Sequence, residues 1–514
     1  MTNHVMDKGG SQPETGRRTI ATGIAGLDML LEGGILAGGI YLVQGHPGTG
    51  KTILGNQICF NHAARGGKAL FVTLLAESHS RMLMHLGSLR FFDAAEIPQK
   101  IYYISAFTEL EQSGLAGLLR LLRKETLSHG AQILILDGLV AAGSSATSGI
   151  ELKKFIHELQ VQAATLDCSM FLLTIADTSN APAEHTMVDG VVDGVIELSH
   201  RLYGWRTERD LRVLKRRGAG FIAGLHAFRI TDVGITVYPR IEALPLTPEQ
   251  VRSSAPLPTG LRQLDRMMGG GIPACSATLL LGAAGIGKTT LGLQFLSQCG
   301  PEQRGLFYGF YETPAALRAK AVALNLTAAE LMDSGDIEVL WSPATEGSID
   351  EVCARLLDAV RRSQVRRLFI DGLEALQKLA TDPTRVSHIL AALMAQLQRL
   401  GVSTVYTAET DTLVGETGPL AGVSMRGASS IVENVLSMRF ANAGAHVYRM
   451  IAVIKVRDGH IDSRIRTFDI GDQGLKIDES HEHADEILSH EVQPRRASPS
   501  SRPSTGTSSN LPGD

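Results

Sequence analysis

Apolar and polar positions along the chain follow two alternating patterns, which predict strands and helices in turn. Short apolar runs in the first half, such as "IYLVQG", "KALFVTL" and "QILILDG", have the length and residue types of buried strands. Between them, segments such as "LAGLLRLLRKE" carry apolar residues at helical spacing. Because strands buried on both faces are apolar throughout, we expect an α/β fold with a mostly parallel sheet and helices on both faces.

The second half of the chain repeats this order, with the apolar runs "ATLLLG", "GLFYGF", "IEVLW", "VRRLFIDG" and "STVYTAE". The segment "TGIAGLDMLLEGGILAGGIYLVQG" from Thr22 aligns without a gap with "TGLRQLDRMMGGGIPACSATLLLG" from Thr259. Each half closes with strand-like segments, which include "RDLRVLKRRG" and "HVYRMIAVIKVRDG". This self-similarity indicates an internal duplication and predicts two tandem domains of one fold.

The length of 514 residues suits two domains with short tails. A segment rich in proline and small residues marks a linker between them, and a final segment rich in Ser and Pro predicts disorder. His481, His483 and His490 in that final segment could bind a metal, but a solvated tail is the interpretation we favour. The expected order is an N-terminal tail (1–16), a first domain (17–245), a linker (246–256), a second domain (257–478) and a C-terminal tail (479–514).

Composition and charge remove several classes of partner. A net charge of −4 with 20% charged residues gives no reason to expect nucleic acid or an acidic lipid surface. Five scattered cysteines without a C-x-x-C pair fit a reducing compartment. The N-terminus lacks an apolar leader, and no apolar run reaches the length of a membrane span. We therefore expect a cytoplasmic protein that does not bind membranes.

Two glycine-rich loops, "GHPGTGKT" and "GAAGIGKT", match the P-loop pattern G-x-x-x-x-G-K-[ST] between a strand and a helix. Glycines let backbone N–H groups surround a polyphosphate, the lysine reaches its β and γ oxygens, and the threonine hydroxyl ligates Mg²⁺. The alternative is a glycine-rich turn without a ligand, but two matches in register argue against it. The predicted nucleotide and metal ligands, whose lysines also serve catalysis, are Gly45, Gly48, Gly50, Lys51 and Thr52, and Gly282, Gly285, Gly287, Lys288 and Thr289.

Four acidic residues recur at matching points of the two halves. Asp137 and Asp371 end the apolar runs "ILILD" and "RLFID", where a carboxylate can hold the metal; a helix cap is the alternative. Glu77 and Glu312 follow the second predicted strand of each half and could polarise the attacking water or hydroxyl. Either glutamate alone would be interpreted as a solvated acid at a helix start, but their recurrence favours a catalytic role.

Two pairs of cations also occupy matching positions, near the end of each half. Lys215 and Arg217 lie two residues apart on a predicted strand, as do Lys455 and Arg457, so each pair is expected on one face. A solvated hairpin edge is the alternative for either pair alone. The recurrence favours a shared role, contact with the γ-phosphate bound by a neighbouring subunit, and such contact requires a ring.

These motifs, over roughly residues 17–478, resemble the KaiC family of tandem ATPases, whose cyanobacterial members are circadian clock ATPases and autokinases. The resemblance is carried by "TGIAGLDMLLEGG", both P-loops, the two aspartate strands, the acidic turns and the two cation strands. It implies two RecA-like P-loop NTPase domains and an ATP-bound homo-hexamer of two stacked rings. The nucleotide would lie between adjacent protomers, and the four cations would act across that interface. No regulatory partner follows from it, because the C-terminal tail has no clear match.

The family's second domain phosphorylates an adjacent Ser-Thr pair, and the matching residues are Ser429 and Ser430 in "GASSIVENV". The corresponding point of the first half, Asp189-Gly190, offers no hydroxyl. The resemblance therefore implies that both loops serve ATP hydrolysis and that the second also serves autophosphorylation.

The sequence departs from the family's pattern at three positions. The family usually carries two consecutive glutamates after the second strand, whereas Ala76 and Tyr311 leave one acid in each half. Asp458 stands where the family has a glycine after the last arginine. These changes bear on catalytic rate and on kinase competence and leave nucleotide binding as predicted.

The leading hypothesis is a hexameric ATPase and serine autokinase in signalling or timing. A RecA-like DNA-binding motor is one alternative, suggested by a basic run that Glu208 and Asp210 interrupt. A nucleotide-gated scaffold with little turnover is the other, because each half lacks one glutamate. The arginines of the basic run are Arg201, Arg206, Arg209, Arg212 and Arg216.

Overall fold

The computed structural model divides the chain into two compact units. The first consists of residues up to 247 together with 345–358 and 377–393, and the second contains the remainder. The expected linker, 246–256, lies largely outside the described residues. The residues that the structure describes are 18–74, 79–146, 148–175, 190–246, 255–343, 347–410, 432–443, 446–457, 459 and 461–491.

Among its described residues, the first unit contains a nine-stranded sheet and a short two-stranded sheet formed by β1 and β2. The strands are β1 Thr19–Ile20, β2 Ile35–Leu36, β3 Ile40–Gly45, β4 Ala69–Thr73, β5 Ile101–Ser105, β6 Ile133–Asp137, β7 Ser169–Ile175, β8 Gly194–Tyr203, β9 Arg206–Arg216, β10 His226–Thr231 and β11 Gly234–Tyr238. The large sheet has the order β11-β10-β9-β8-β3-β7-β6-β4-β5. The strands from β8 to β5 are parallel, and β9, β10 and β11 extend the sheet as antiparallel strands.

The second unit repeats this sheet strand for strand in its described part. Its strands are β12 Ala277–Gly282, β13 Gly305–Gly309, β14 Ile337–Trp341, β15 Arg367–Asp371, β16 Ser403–Glu409, β17 Asn434–Ala443, β18 His446–Lys455, β19 Arg466–Gly471 and β20 Gly474–Ile477. Their order is β14-β13-β15-β16-β12-β17-β18-β19-β20, with the antiparallel strands again at one end. The duplication predicted from the sequence therefore extends to the sheet topology.

Helices connect the parallel strands in both halves. In the first half of the chain, the described helices are α1 Ala25–Leu30, α2 Lys51–Ala64, α3 His79–Leu86, α4 Phe107–His129, α5 Leu139–Ser145 and α6 Gly149–Leu166. In the second half they are α7 Arg262–Met267, α8 Lys288–Leu296, α9 Pro314–Ala323, α10 Ala328–Ser334, α11 Ile349–Ser363, α12 Leu373–Leu379, α13 Val386–Arg399 and α14 Glu482–Glu491. Short 3-10 turns lie at Ala94–Glu96, Ile241–Ala243 and Pro383–Arg385.

The central strands are buried on both faces, which confirms the predicted α/β class. Successive side chains of a strand point to opposite faces. Tyr41 and Val43 of β3 accordingly belong to the core beneath α2, whereas Ile40 and Leu42 belong to a second core beneath α4, α5 and α6. In the second sheet Leu280 of β12 packs with the core that includes α8 residues, and its neighbours on the opposite face are also buried.

Three strands, β7, β8 and β17, were not predicted from the sequence, although β7 and β17 contain apolar runs. β8 and β17 continue as long hairpins with β9 and β18, so their outer halves mix apolar and charged residues and lose the pattern of a buried parallel strand. These strands matter for the site because β7 and β8 flank β3, and β17 lies beside β12.

The segment from 479 onward was predicted to be disordered, and its described part is instead partly helical. α14 packs on β17 and β19 through Ala484 and Ile487, which are buried against Ala441 and Met450. The apolar residues of α14 recur three and four positions apart within a polar segment, which is enough for one buried helix face. Among the described residues, no group of three or more His, Cys, Asp or Glu side chains is arranged to hold a metal ion, so nothing there supports a histidine metal site.

Among the described helices, none has both the length and the apolar character needed to cross a bilayer.

We predict that Ile487→Ala loosens α14, because it removes a side chain that is only 3% exposed. A truncation of this kind in a small peripheral core costs about 2 kcal/mol. The amides of α14 should then exchange with deuterium faster than in the unmodified chain. Glu486→Ala, at an exposed position of the same helix, is the matched control and should leave exchange unchanged. Equal protection in both variants would contradict the packing of α14.

Candidate functional site

The P-loop of the first unit connects the end of β3 to the start of α2. A side chain at Gly45 would place its Cβ 2.3 Å from the carbonyl oxygen of Leu198 on the adjacent strand, so no larger residue fits there. Gly50, the residue before α2, has a φ of 104°, in the left-handed region that favours glycine. Close strand packing and a sharp turn into the helix therefore require glycine at these two motif positions.

The side chains of this loop converge on the carboxyl edge of the sheet. Lys51 Nζ donates to the carbonyl oxygens of Gly45 at 2.7 Å and His46 at 3.0 Å, and burial lowers the pKa of the lysine. Thr52 Oγ1 donates to Asp137 Oδ2 at 2.8 Å. β3 and β6 are separated in the sheet by β7, so the parallel arrangement brings the loop and the aspartate together. The hypothesis that this aspartate only caps a helix does not account for its bond to the loop threonine.

The second unit has the same arrangement with an additional hydroxyl. Lys288 Nζ donates to the carbonyl oxygens of Gly282 at 2.7 Å and Ala283 at 3.0 Å, and burial lowers its pKa. Thr289 Oγ1 donates to Asp371 Oδ2 at 2.8 Å, and Thr407 Oγ1 donates to the other carboxylate oxygen at 2.8 Å. Burial raises the pKa of Asp371 despite these two hydrogen bonds.

A cavity of about 380 Å³ lies over the second P-loop. Its wall includes Glu312, as the sequence predicted, but this carboxylate already forms an ion pair with Lys320 Nζ at 2.5 Å. Two further glutamates, Glu374 at the start of α12 and Glu409 at the end of β16, complete the acidic side of the cavity. Burial raises the pKa of Glu374.

These two glutamates were not predicted from the sequence, and apolar residues stand at the corresponding positions of the first unit. Sheet register pairs Gly282 with Glu409 and, at the equivalent point, Gly45 with Ile175. Glu374 stands three residues after its aspartate, where the first unit has Val140. Thr407 occupies the register position of Leu173 in the same way. Alignment of the two β16-like strands, "SMFLLTI" and "STVYTAE", would have shown the difference.

The predicted cation pairs lie at the opposite edge of each sheet from the P-loop of the same unit. Lys215 pairs in register with Val195, whereas Gly45 pairs with Leu198, further along β8. Arg217 lies beyond Lys215, and its backbone N–H donates to Asp193. At about 3.3 Å per residue, Arg217 therefore lies about 16 Å along the strand from the start of the P-loop. Lys455 has the equivalent register in the second unit, so neither pair contributes to its own unit's site.

The arginine of each pair lies just beyond its strand, because β9 ends at Arg216 and β18 ends at Lys455. Lys215 and Arg217 nevertheless both donate to the carbonyl oxygen of Gly190, at 3.3 and 2.5 Å, so their side chains reach the same side. Both hairpins contain a bulge at this point. In the first, Val195 opposes Lys215 but the next residue of β8 opposes Val213. The second has the same shift, after Val435. The bulge gives Lys215 the face of Val195, opposite to that of Val213.

The cations at this edge contact backbone carbonyls that precede β8 and β17. Lys215 donates to Gly190 O at 3.3 Å, and Arg217 donates to Val191 O at 3.2 Å. Lys455 donates to Val432 O at 2.9 Å, and Arg457 lies 3.6 Å from a carboxylate oxygen of Glu433. Three predicted site residues, Glu77, Ser429 and Ser430, lie outside the described residues, so the structure does not place them.

The basic run that suggested DNA binding is engaged within the first unit. Arg201 binds Asp210 at 2.7 Å, and Arg212 binds Glu197 at 2.9 Å. Arg209 donates to the carbonyl oxygen of Gly48 in the P-loop at 3.0 Å. These contacts engage three of the five arginines of the run within the first unit, and the expected absence of a nucleic acid partner stays a prediction.

Comparison with known proteins gives consistent matches along most of the chain. The model of the KaiC ATPase family matches residues 20–242 and 257–482. The "Circadian clock oscillator protein KaiC" of Picosynechococcus sp. is 26% identical, with 92% of each chain covered. "Circadian clock oscillator protein KaiC 1" of Synechocystis sp. is 25% identical over 93% of this chain and 92% of its own. The similarly named protein of Synechococcus elongatus is 23% identical over 91% and 90%.

We predict that Asp371→Asn stabilises the nucleotide-free protein at neutral pH. Because burial raises the pKa of Asp371 above its ordinary 3.8, the native state holds this proton to higher pH than the unfolded chain. The free energy of unfolding therefore falls as pH rises through that interval and remains lower above it. Thermal unfolding followed from acidic to neutral pH should show the variant gaining stability over wild type as pH rises. Asp469→Asn, at an exposed position of β19, is the control, and an Asp371→Asn curve parallel to wild type would contradict the assignment.

Proposed function

The chain belongs to the KaiC family of ATPases, and we propose that each of its two units binds ATP with Mg²⁺ and hydrolyses it. The observation that carries this proposal is the repeated contact between the P-loop threonine and the strand-end aspartate, at 2.8 Å in both units. Thr52 and Asp137, or Thr289 and Asp371, offer the hydroxyl and carboxylate oxygens that Mg²⁺ prefers in P-loop enzymes. Mg²⁺ held there would neutralise charge on the β- and γ-phosphate oxygens.

The remaining roles follow from the positions of the side chains. Lys51 and Lys288 now bind loop carbonyls, and in the proposal they turn to the β and γ oxygens of the nucleotide. Glu77 and Glu312 polarise the nucleophile, and Glu312 must first leave its ion pair with Lys320. The glycines of both loops supply backbone N–H groups to the phosphates.

We further propose that the active assembly is a homo-hexamer in which neighbours complete each other's sites. The four cations lie at the sheet edge opposite to the P-loop of their own unit, so in this proposal they meet the nucleotide bound by a neighbouring protomer. They are Lys215, Arg217, Lys455 and Arg457. A closed ring places the cation edge of each protomer beside the P-loop edge of the next. Cations at that position stabilise charge that develops on the transferred phosphoryl group.

The second unit is proposed to phosphorylate its own ring at Ser429 or Ser430. Support comes from the family resemblance and from the absence of a hydroxyl at the corresponding Asp189-Gly190. The similar cyanobacterial proteins are named as circadian clock proteins, and we propose a signalling or timing role in the cytoplasm for this chain.

The assembly proposal predicts a nucleotide-dependent hexamer whose turnover depends on the distant cations. Native mass spectrometry with Mg²⁺ and ATP should show six chains. Arg457→Ala should lower phosphate release by about 10- to 1,000-fold at the second site without loss of ATP binding, because it removes transition-state charge stabilisation. Arg318→Ala, which breaks only the exposed pair with Asp333, is the control. A chain that stays monomeric at saturating nucleotide while turning over ATP would refute the ring.

The kinase proposal predicts covalent labelling in the second half of the chain. Incubation with γ-labelled ATP should mark a peptide that contains Ser429 and Ser430, and the double change to alanine should abolish the label. Ser334→Ala, at an exposed helix end, should leave it intact. Hydrolysis of ATP with no label at any time would remove the kinase activity and keep the ATPase.

A further inference from the structure

We propose that Glu409 is a further catalytic residue of the second site, where its carboxylate takes the proton of the nucleophile that attacks the γ-phosphate. The inference rests on the proposed function, since it assumes that ATP reacts at this P-loop. It assigns the role to an acid that has no counterpart at the same position of the first unit, where Ile175 stands. The position of Glu409, its fixation by Glu374 and the contrast with the first unit carry it.

Glu409 lies beside the P-loop because of strand register. It ends β16, the parallel neighbour of β12, and pairs with Gly282, the first residue of the loop motif. Its Oε1 atom lies 4.0 Å from Lys288 Nζ, and the side chain is 59% exposed, toward the cavity. Since Lys288 is the group that reaches the γ-phosphate, this carboxylate lies close to the transferred phosphoryl group and within reach of a nucleophile.

Glu374 fixes the backbone of this residue. Its Oε1 atom accepts a hydrogen bond from the backbone N–H of Glu409 at 2.5 Å. Thr407, two residues earlier on β16, donates to Asp371 and accepts from the N–H of Gly372 at 2.8 Å. The end of β16 is therefore tied at two points to the start of α12, and Glu374 is a positioning residue for Glu409.

Comparison with the first unit indicates that these acids are not needed for folding. Ile175 and Val140 occupy the two positions there, at the same strand end and the same helix start. The two sheets nevertheless have the same strand order. Two glutamates facing a polyphosphate site carry a repulsive cost, so their presence in the second unit alone calls for a chemical role.

Of the two candidate bases in the second cavity, Glu409 is held less closely by a cation than Glu312. Glu312 is held in a 2.5 Å ion pair with Lys320, so one of its carboxylate oxygens is already engaged by a cation. Glu409 faces Lys288 at a distance too long for a hydrogen bond. Once the lysine turns to phosphate, the Glu409 carboxylate can accept a hydrogen bond from water or from a hydroxyl.

The step balances without any further reactant. A lone pair of the water or hydroxyl oxygen forms a bond to the γ-phosphorus while the O–H proton moves to the Glu409 carboxylate. The bond between the γ-phosphorus and the β–γ bridging oxygen breaks, and ADP leaves with its electron pair. Glu409 then returns the proton to solvent, which restores the carboxylate.

The test uses the full chain with Lys51→Ala, so that hydrolysis reports on the second site. Glu409→Gln should lower kcat by about 100-fold or more while the KM for ATP changes by less than about threefold, because a base acts on the chemical step. Sodium formate should restore part of the rate to Glu409→Ala. Glu330→Gln, an exposed acid on α10, is the matched control. The same variants with Lys51 intact provide a second background, in which only the second-site share of turnover should be lost.

Glu374 is tested in the same background. Glu374→Ala should lower kcat, whereas Glu374→Gln should retain most of it, because an amide oxygen still accepts the N–H of Glu409. Thermal unfolding and binding of a fluorescent ATP analogue monitor folding in each variant.

Two results distinguish a failure of the proposed ATPase activity from a failure of the role of Glu409. If the Lys51→Ala chain and the intact chain neither bind nor hydrolyse ATP, the proposed function fails and this inference fails with it. If they turn over ATP and Glu409→Gln keeps the same kcat, or formate does not act on Glu409→Ala, the role of Glu409 is overturned while the ATPase stands.

Discussion

The direction of the central strands is the constraint on which both sites depend. β3 and β12 lie between parallel neighbours, so the loops, aspartates and acids that follow these strands all emerge at one edge. The packing is tight enough that Gly45 can carry no side chain beside the carbonyl of Leu198. A threonine hydroxyl from the loop then reaches the aspartate two strands away. The order and direction of the strands thus bring the groups of each site together.

The site groups impose a cost on the folded chain. Burial lowers the pKa of Lys288 and raises that of Asp371 and Glu374, so each is held partly against its preferred charge state. The hydrogen bonds to loop carbonyls and threonine hydroxyls offset part of this desolvation. Such strain is typical of sites that acquire their full complement of charges only when a ligand binds, as metal and phosphate would provide.

Sequence reasoning reached the parts of the site that depend on local order. Both P-loops and their aspartates could be located because a motif or an apolar run precedes each of them. Glu374 and Glu409 escaped because their proximity to Lys288 depends on which strands are neighbours and in what register, and neither is written locally in the sequence. The tail helix α14 escaped because a few apolar residues within a polar segment carry little weight until a sheet offers a face for Ala484 and Ile487. The cations at the strand ends were located from the sequence, but the bulge that sets the face of each lysine was not predicted.

The bulge in each hairpin determines which face of the sheet the lysine of the cation pair occupies. Leu214 is the unopposed residue in β9, so the residue before it faces the apolar core and the residue after it faces away. In a regular strand of the same length, Lys215 would lie two residues after Val213 on the same face, and its ammonium group would point into the hydrophobic interior, where a lone charge is not tolerated. The second hairpin has the same irregularity between Val435 and Leu436. One extra backbone residue in each hairpin thereby decides on which face of the sheet the positive charge of the lysine lies, whatever side chain that extra residue carries.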